Sequence, residues 1–159
     1  MERHTLAGTL RLPKKQGPHP IVVIIQGSGP ADRTGNGYFT PIQDAFLSHG
    51  IGTFAFDKPG CGDSTGDWRD YALEDRADQI LVARDTVRKS SMGDVNSIGI
   101  WGQSQVGWLV QMLASRRTDL SLVQSPTLAL PSTFRTRIGT DVNTRCLQPN
   151  IGRPTSSTL

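Results

Sequence analysis

The run Ile21-Val22-Val23-Ile24-Ile25-Gln26 constrains the fold more than any other stretch of this chain. Five consecutive β-branched residues suit a strand, and a continuous apolar run suits a strand covered on both faces, as in parallel sheets. "IGTFAFD" at 51–57, "NSIGIWG" at 96–102 and "LSLVQ" at 120–124 carry the same strand signal. Helical patterns separate them. Residues 41–50 begin with Pro41 and stop at Gly50, 69–91 form a long amphipathic stretch, and 105–116 are densely apolar. In the long stretch Leu73, Ala77, Ile80, Leu81 and Val87 share one face, with Arg76, Asp78, Arg84 and Asp85 mostly on the other. "TLAGTLRL" at 5–12 reads as a further strand, closed by a turn at Pro13 and the polar residues after it. Such alternation predicts the α/β class: a doubly wound, mostly parallel sheet with helices on both faces. Sites in such sheets form beyond the carboxyl ends of the strands. Three loops fall there: 27–37, 57–67 and 102–106.

The pattern ends near residue 124. Residues 125–159 are rich in Ser, Thr, Pro and Arg, lack Lys, Glu and His, and show neither helical nor strand period. Two units are therefore expected: an α/β domain over 1–124 and an irregular, poorly ordered tail over 125–159. The tail also accounts for the net charge of +3. It holds Arg135, Arg137, Arg145 and Arg153 against Asp141 alone, so residues 1–119 are balanced. A scattered excess of this kind is no nucleic-acid-binding stripe. No apolar run approaches the roughly 20 residues of a membrane span, and the start "MERHTLAGTLRLPKK" lacks the apolar core of a signal peptide. A cytoplasmic chain without a membrane partner is expected. Cys61 and Cys146 form neither a CxxC pair nor a zinc spacing, so no metal is implied.

Ser104 lies in "IGIWGQSQVGW", between a buried strand and a helix, with Gly102 two residues earlier. A nucleophile elbow needs this context, because small neighbours permit the sharp turn and the close approach of helix to strand. The usual G-x-S-x-G places glycine two residues after the serine, whereas this chain has Val106, which is expected to crowd the turn. The competing reading is a serine N-cap on a buried helix.

The other two loops bear on that choice. "QGSGPADRTGN" at 26–36, "DKPGCGDSTGDW" at 57–68 and "GQSQVG" at 102–107 stand in order, each after an expected strand. In this the sequence resembles the α/β-hydrolase superfamily, in particular its esterase and dienelactone-hydrolase-like branch near prolyl oligopeptidase-type serine peptidases. The resemblance covers roughly residues 5–118. It implies a partial α/β-hydrolase fold and serine-dependent ester or acyl hydrolysis of a small-molecule substrate, with no cofactor. It puts Ser104 at the nucleophile position, and the N–H of Gln105 with one near Gly27 or Ser28 in the oxyanion hole. Asp32 and Arg33 are read as a structural pair bracing that loop. Relative to the family pattern, Gln26 and Gln103 replace histidines, Pro59 an arginine and Val106 a glycine.

The superfamily's chain order is serine, acid, histidine. Here His4, His19 and His49 all precede Ser104, and Asp119 and Asp141 are the only later carboxylates. His19 should lie at the opposite edge of the sheet, His49 should cap a surface helix, and nothing aims His4 at the site. A hydrolase scaffold with weak or no activity follows, truncated or frame-shifted near residue 120. The alternative is a non-catalytic binding module that self-associates through an exposed sheet edge. Nucleotide binding is disfavoured, because Asp32 occupies the third glycine position after Gly27 and Gly29, and no GxxxxGK[ST] occurs.

Overall fold

The structure, a computed structural model, describes residues 4–90, 94 and 96–116, and the backbone alone of 121–124. The expected tail over 125–159 lies outside the described residues.

Five strands form one sheet: β1 (Gly8–Arg11), β2 (Ile21–Ile25), β3 (Gly52–Phe56), β4 (Ile98–Gly102) and β5 (Ser121–Gln124), in the order β1-β3-β2-β4-β5. Only β1 runs antiparallel, against β3, and the other pairings are parallel. The helices are α1 (Thr40–Ser48), α2 (Leu73–Lys89) and α3 (Val106–Arg116). All five residues of β2 are buried, as their apolar run requires at the centre of a sheet covered on both sides.

Strand alternation divides the core in two. Ile21, Val23 and Ile25 of β2 join Phe56, Ile98 and Ile100 beneath α2 and α3. Val22, Ile24 and Ala55 face the other way, where Phe39, Ile42 and Phe46 from α1 and its approach meet Trp101. Each large apolar side chain so buried contributes about 1.5–3 kcal/mol. The connection leaving β2 thus turns to one face of the sheet and that leaving the adjacent β4 to the other. Such a switch point opens a crevice at the strands' carboxyl ends.

The long helical stretch divides. A short 3-10 turn, Trp68–Asp70, precedes α2, and the Asp75 carboxylate accepts the Ala72 N–H at 2.9 Å to close the helix start. Arg84 departs from its expected place on the polar face. It is buried, because Leu73, Ala77, Ile80, Arg84 and Val87 fall on one stripe at alternating spacings of four and three.

Val106 does not crowd its turn as expected. It is fully buried, and a β-carbon placed on Gly102 would stand 2.7 Å from both of its methyl carbons and 2.8 Å from the Ile25 carbonyl oxygen. The missing side chain at 102 makes the room that the missing glycine at 106 would otherwise supply. Gly102→Ala is expected to destabilise the chain by about 1–3 kcal/mol through overpacking. Val106→Ala should cost less in that background than in the native chain. A double-mutant cycle by chemical denaturation reads the coupling, and simple additivity would contradict the contact.

Candidate active site

Ser104 has φ of 58°, in the left-handed region. For a residue with a β-carbon that conformation costs about 1–2 kcal/mol. The turn is closed by backbone bonds from Val106 N to Gln103 O at 3.3 Å and from Gly107 N to Ser104 O at 3.0 Å. The serine is exposed, and no hydrogen bond joins its side chain to an amide of α3 among the described residues. This geometry is not that of an N-cap, whose oxygen accepts from the first turn of its helix.

The loop after β2 comes up against the serine. A β-carbon placed on Gly27 would lie 3.4 Å from Ser104 Cβ and 3.8 Å from its Oγ. Gly27, Ser28 and Ser104 line one hollow of about 270 Å³, together with Tyr38 and Gln103. Gln105 borders a wider one with Ser104, Leu73 and Trp108. Ser104 thus borders two hollows, one shared with Gly27 and Ser28 and the other with Gln105.

Two adjacent residues at the end of β3 fix that loop. Asp57, fully buried, accepts the Arg33 backbone N–H at 2.5 Å and Arg33 Nε at 2.9 Å on Oδ1, and Arg33 Nη2 at 2.5 Å on Oδ2. Arg33 also reaches Asp63 at 2.5 Å. Its expected partner Asp32 instead accepts Thr34 N at 2.8 Å, Thr34 Oγ1 at 2.6 Å and Asn36 N at 3.0 Å. The short Asp32 side chain bonds forward into its own turn, which leaves Arg33 to the deeper carboxylate. Burial pushes the Asp57 carboxyl up, but the Arg33 guanidinium and the amides of Asp63 and Arg33 outweigh it and hold it below the usual range. The Asp63 N–H can reach Asp57 because residue 62 is glycine, with φ of 51°. A β-carbon there would stand 2.2 Å from Asp57 Oδ2.

Lys58 is buried too, and its Nζ donates to the carbonyls of Gly27, at 2.6 Å, and Gly29. Across a trans peptide the N–H points opposite to the C=O, so this pull turns the Ser28 N–H away from Lys58. Arg76 on α2 donates to the Gln26 carbonyl at 2.9 Å and to Gln105 Oε1, tying the end of β2 and the Ser104 turn together. Burial, and then the nearby Arg76 charge, lower the Lys58 ammonium to about 8. Neither cation was marked by the sequence pattern. Lys58 sits in a turn-rich loop, where lysine is ordinarily solvated. Arg76 flanks the apolar stripe of α2, three residues after Leu73 and four before Ile80, and that spacing was the available signal.

The histidines lie elsewhere. His19, before β2 at the far end of the sheet, bonds Lys15 O through Nε2 at 2.6 Å. His49 ends α1 and donates from Nδ1 to Ala45 O at 2.8 Å. His4 packs edge-on against Tyr71 and lies over Gly66. Among the described residues none of them bonds Ser104, and no cluster of His, Cys, Asp and Glu could hold a metal. No helix among them is long and apolar enough to cross a membrane.

The Lys58 shift sets a pH dependence. Between pH 8 and 10.5 the unfolded chain holds the Lys58 proton while the folded chain sheds it, so stability should rise with pH across that window. The gain is on the order of 3 kcal/mol at about 1.4 kcal/mol per unit. Urea unfolding of the native chain against Lys58→Met, at the two ends of the window, measures it. The same slope in both proteins would remove Lys58 as its source.

No family model and no curated protein matches the sequence. Solved structures do. Est1E from Butyrivibrio proteoclasticus, determined with ferulic acid bound, is 26% identical with a TM-score of 0.63, over 74% of this chain and 47% of that one. A Paleococcus ferrophilus monoacylglycerol lipase is 24% identical with a TM-score of 0.58, over 80% and 47%. The 2,6-dihydroxy-pseudo-oxynicotine hydrolase is 22% identical with a TM-score of 0.60, over 72% and 31%. The chain spans less than half the length of each of these neighbours. These likenesses, together with the mostly parallel sheet wound to both faces, show that the chain has an α/β-hydrolase superfamily fold, matched over part of each neighbour.

Proposed function

We propose that this chain supplies the nucleophile and oxyanion half of a serine-dependent ester or acyl hydrolase. One observation carries the reading: Ser104 is held in the left-handed conformation at the strand–helix turn, with its side chain exposed and the Gly27 backbone against it. The fold costs itself that strain at a residue whose side chain contributes nothing to the core, and strain of this kind is characteristic of functional positions. The names of two neighbours, a monoacylglycerol lipase and a hydrolase, support the same chemistry.

In this reading Ser104 Oγ adds to an ester carbonyl carbon, and the carbonyl oxygen takes up the charge. The Gln105 N–H, at the start of α3, and the Ser28 N–H, turned by Lys58, stabilise that oxygen. Such donors are worth roughly 3–4 kcal/mol each where they have been removed in other hydrolases. The helix N-terminus adds partial positive charge. No imidazole among the described residues takes the serine proton, so turnover by this chain is slow.

The test is p-nitrophenyl acetate hydrolysis by the native chain and by Ser104→Ala. A small rate that falls to the solvent background in the variant is expected. Equal rates would take Ser104 out of the chemistry.

A second reading, association through the sheet, rests on β5. It is an edge strand among the described residues, paired to β4 on one side only. Unpaired edges recruit further strands. Size-exclusion chromatography across protein concentrations should then show a concentration-dependent dimer, and a constant monomer would remove this reading.

A further inference from the structure

Beside the elbow lies a smaller pocket of about 160 Å³, comparable to a cavity that holds one benzene ring. Its charged lining is wholly cationic: Lys58, Arg69 and Arg76, with no aspartate or glutamate among the lining residues. Arg69 is exposed and paired with Asp67 at 2.5 Å. The other two differ. Lys58 is buried and Arg76 half-buried, and neither has a carboxylate partner among the described residues. Both bond only neutral oxygens: the Gly27 and Gly29 carbonyls for Lys58, and the Gln26 carbonyl and Gln105 Oε1 for Arg76. An ammonium has three donors and a guanidinium five, so each keeps donors to spare.

Charges taken from water are ordinarily paired, because an unpaired one costs several kcal/mol. Two like charges against one pocket add mutual repulsion. A bound anion removes both costs, and a planar carboxylate fits the fork of a guanidinium. Trp68 and Tyr71 supply aromatic surface to the same pocket, suited to a flat apolar group attached to that anion.

We propose that this pocket is a binding site for a small organic carboxylate. Its negative group is held by Arg76 and Lys58, and its apolar body lies against Trp68 and Tyr71. Gln105 forms part of the wall, so the ligand sits next to the elbow without using Ser104 Oγ.

Benzoate is the probe, titrated into the full chain by calorimetry at low ionic strength, with benzamide as its neutral isostere and inorganic phosphate as a second anion. Saturable benzoate binding is expected, weakened about tenfold or more by the change to benzamide and by Arg76→Gln, as loss of a charged hydrogen bond predicts. Arg76→Lys keeps the charge but not the fork, and should bind benzoate more weakly than the native chain and more tightly than Arg76→Gln. Ser104→Ala should bind benzoate as the native chain does, so the result stands apart from the outcome of the hydrolysis assay. Equal affinity for benzoate and benzamide, or no benzoate binding, would overturn the proposal, and that comparison needs no variant to fold. Tighter binding of phosphate than of benzoate would overturn the carboxylate assignment.

Discussion

The loop that faces Ser104 is held from below by two neighbouring charges, Asp57 and Lys58, at the end of β3. Asp57 binds Arg33 through backbone and side chain, and Lys58 binds the carbonyls of Gly27 and Gly29. Both charges are buried, and each is satisfied by a different part of the same loop. A loop of this composition, with glycine at 27, 29, 35 and 37, has little intrinsic stiffness. Its shape comes from these charged hydrogen bonds, each stronger than a neutral one. Removing Arg33 would leave the Asp57 carboxylate buried without a countercharge, a loss of about 3–5 kcal/mol. The local structure that carries the site is therefore electrostatic in origin, although it sits on a sheet made by hydrophobic burial.

From there the constraints pass to the turn at Ser104. Gly102 gives Val106 its place, which seats α3 tightly on the end of β4. With strand and helix fixed so close together, the connecting residues have few conformations left. Ser104 takes a left-handed one at a cost of about 1–2 kcal/mol. That cost is modest beside the burial of Leu109, Val110 and Leu113 on α3, each worth about 1.5–3 kcal/mol. Arg76 closes the arrangement by bonding the last β2 carbonyl region and the Gln105 side chain at once. The strain at Ser104 is thus a consequence of how α3 packs, and the packing substitutes valine for glycine without loss of the turn.

The strands were legible because β-branched runs such as 21–25 leave few alternatives to a buried parallel strand, and the helices because their apolar spacing is close to 3.6. Ser104 stood out by its place between a buried strand and a helix, and the loops by their place after strand ends in this class of sheet, whereas Gly27, Ser28 and Gln105 were named through the family resemblance. What escaped were polar residues whose partners are remote in sequence. Lys58 and Gly27 are 31 residues apart, and Arg76 and Gln26 are 50 apart. No local period encodes such pairs. The assignment of Arg33 to Asp32 failed for a related reason: adjacency suggested a pair, while the fold offered Arg33 a better-buried carboxylate 24 residues away. Arg84 was misplaced because its charge outweighed its position on the apolar stripe.

The chemistry left at the site is one-sided. Arg76 and Lys58 are donors without an acceptor atom, and backbone N–H groups also only donate. Donors stabilise an oxyanion once it has formed, and they favour an anionic ligand before it reacts. They do not accept the proton that a serine must lose in order to attack. Lys58, whose ammonium burial lowers to about 8, has its Nζ turned to the Gly27 and Gly29 carbonyls, and no hydrogen bond joins it to Ser104 among the described residues. The same cations that give the loop its shape therefore make the surroundings of Ser104 suited to binding negative charge rather than to generating a nucleophile. A proton acceptor in this fold must come from another part of the sheet's carboxyl edge, beyond β4 in chain order. Among the described residues that edge holds β5, whose last residue Gln124 lies in register with Gly102, two residues before the serine. On the proposed reading, an acid or an imidazole entering next to Gln124 would meet Ser104 already posed opposite the N–H groups of Gln105 and Ser28, with pre-organised electrostatics on one side of the crevice and proton transfer on the other.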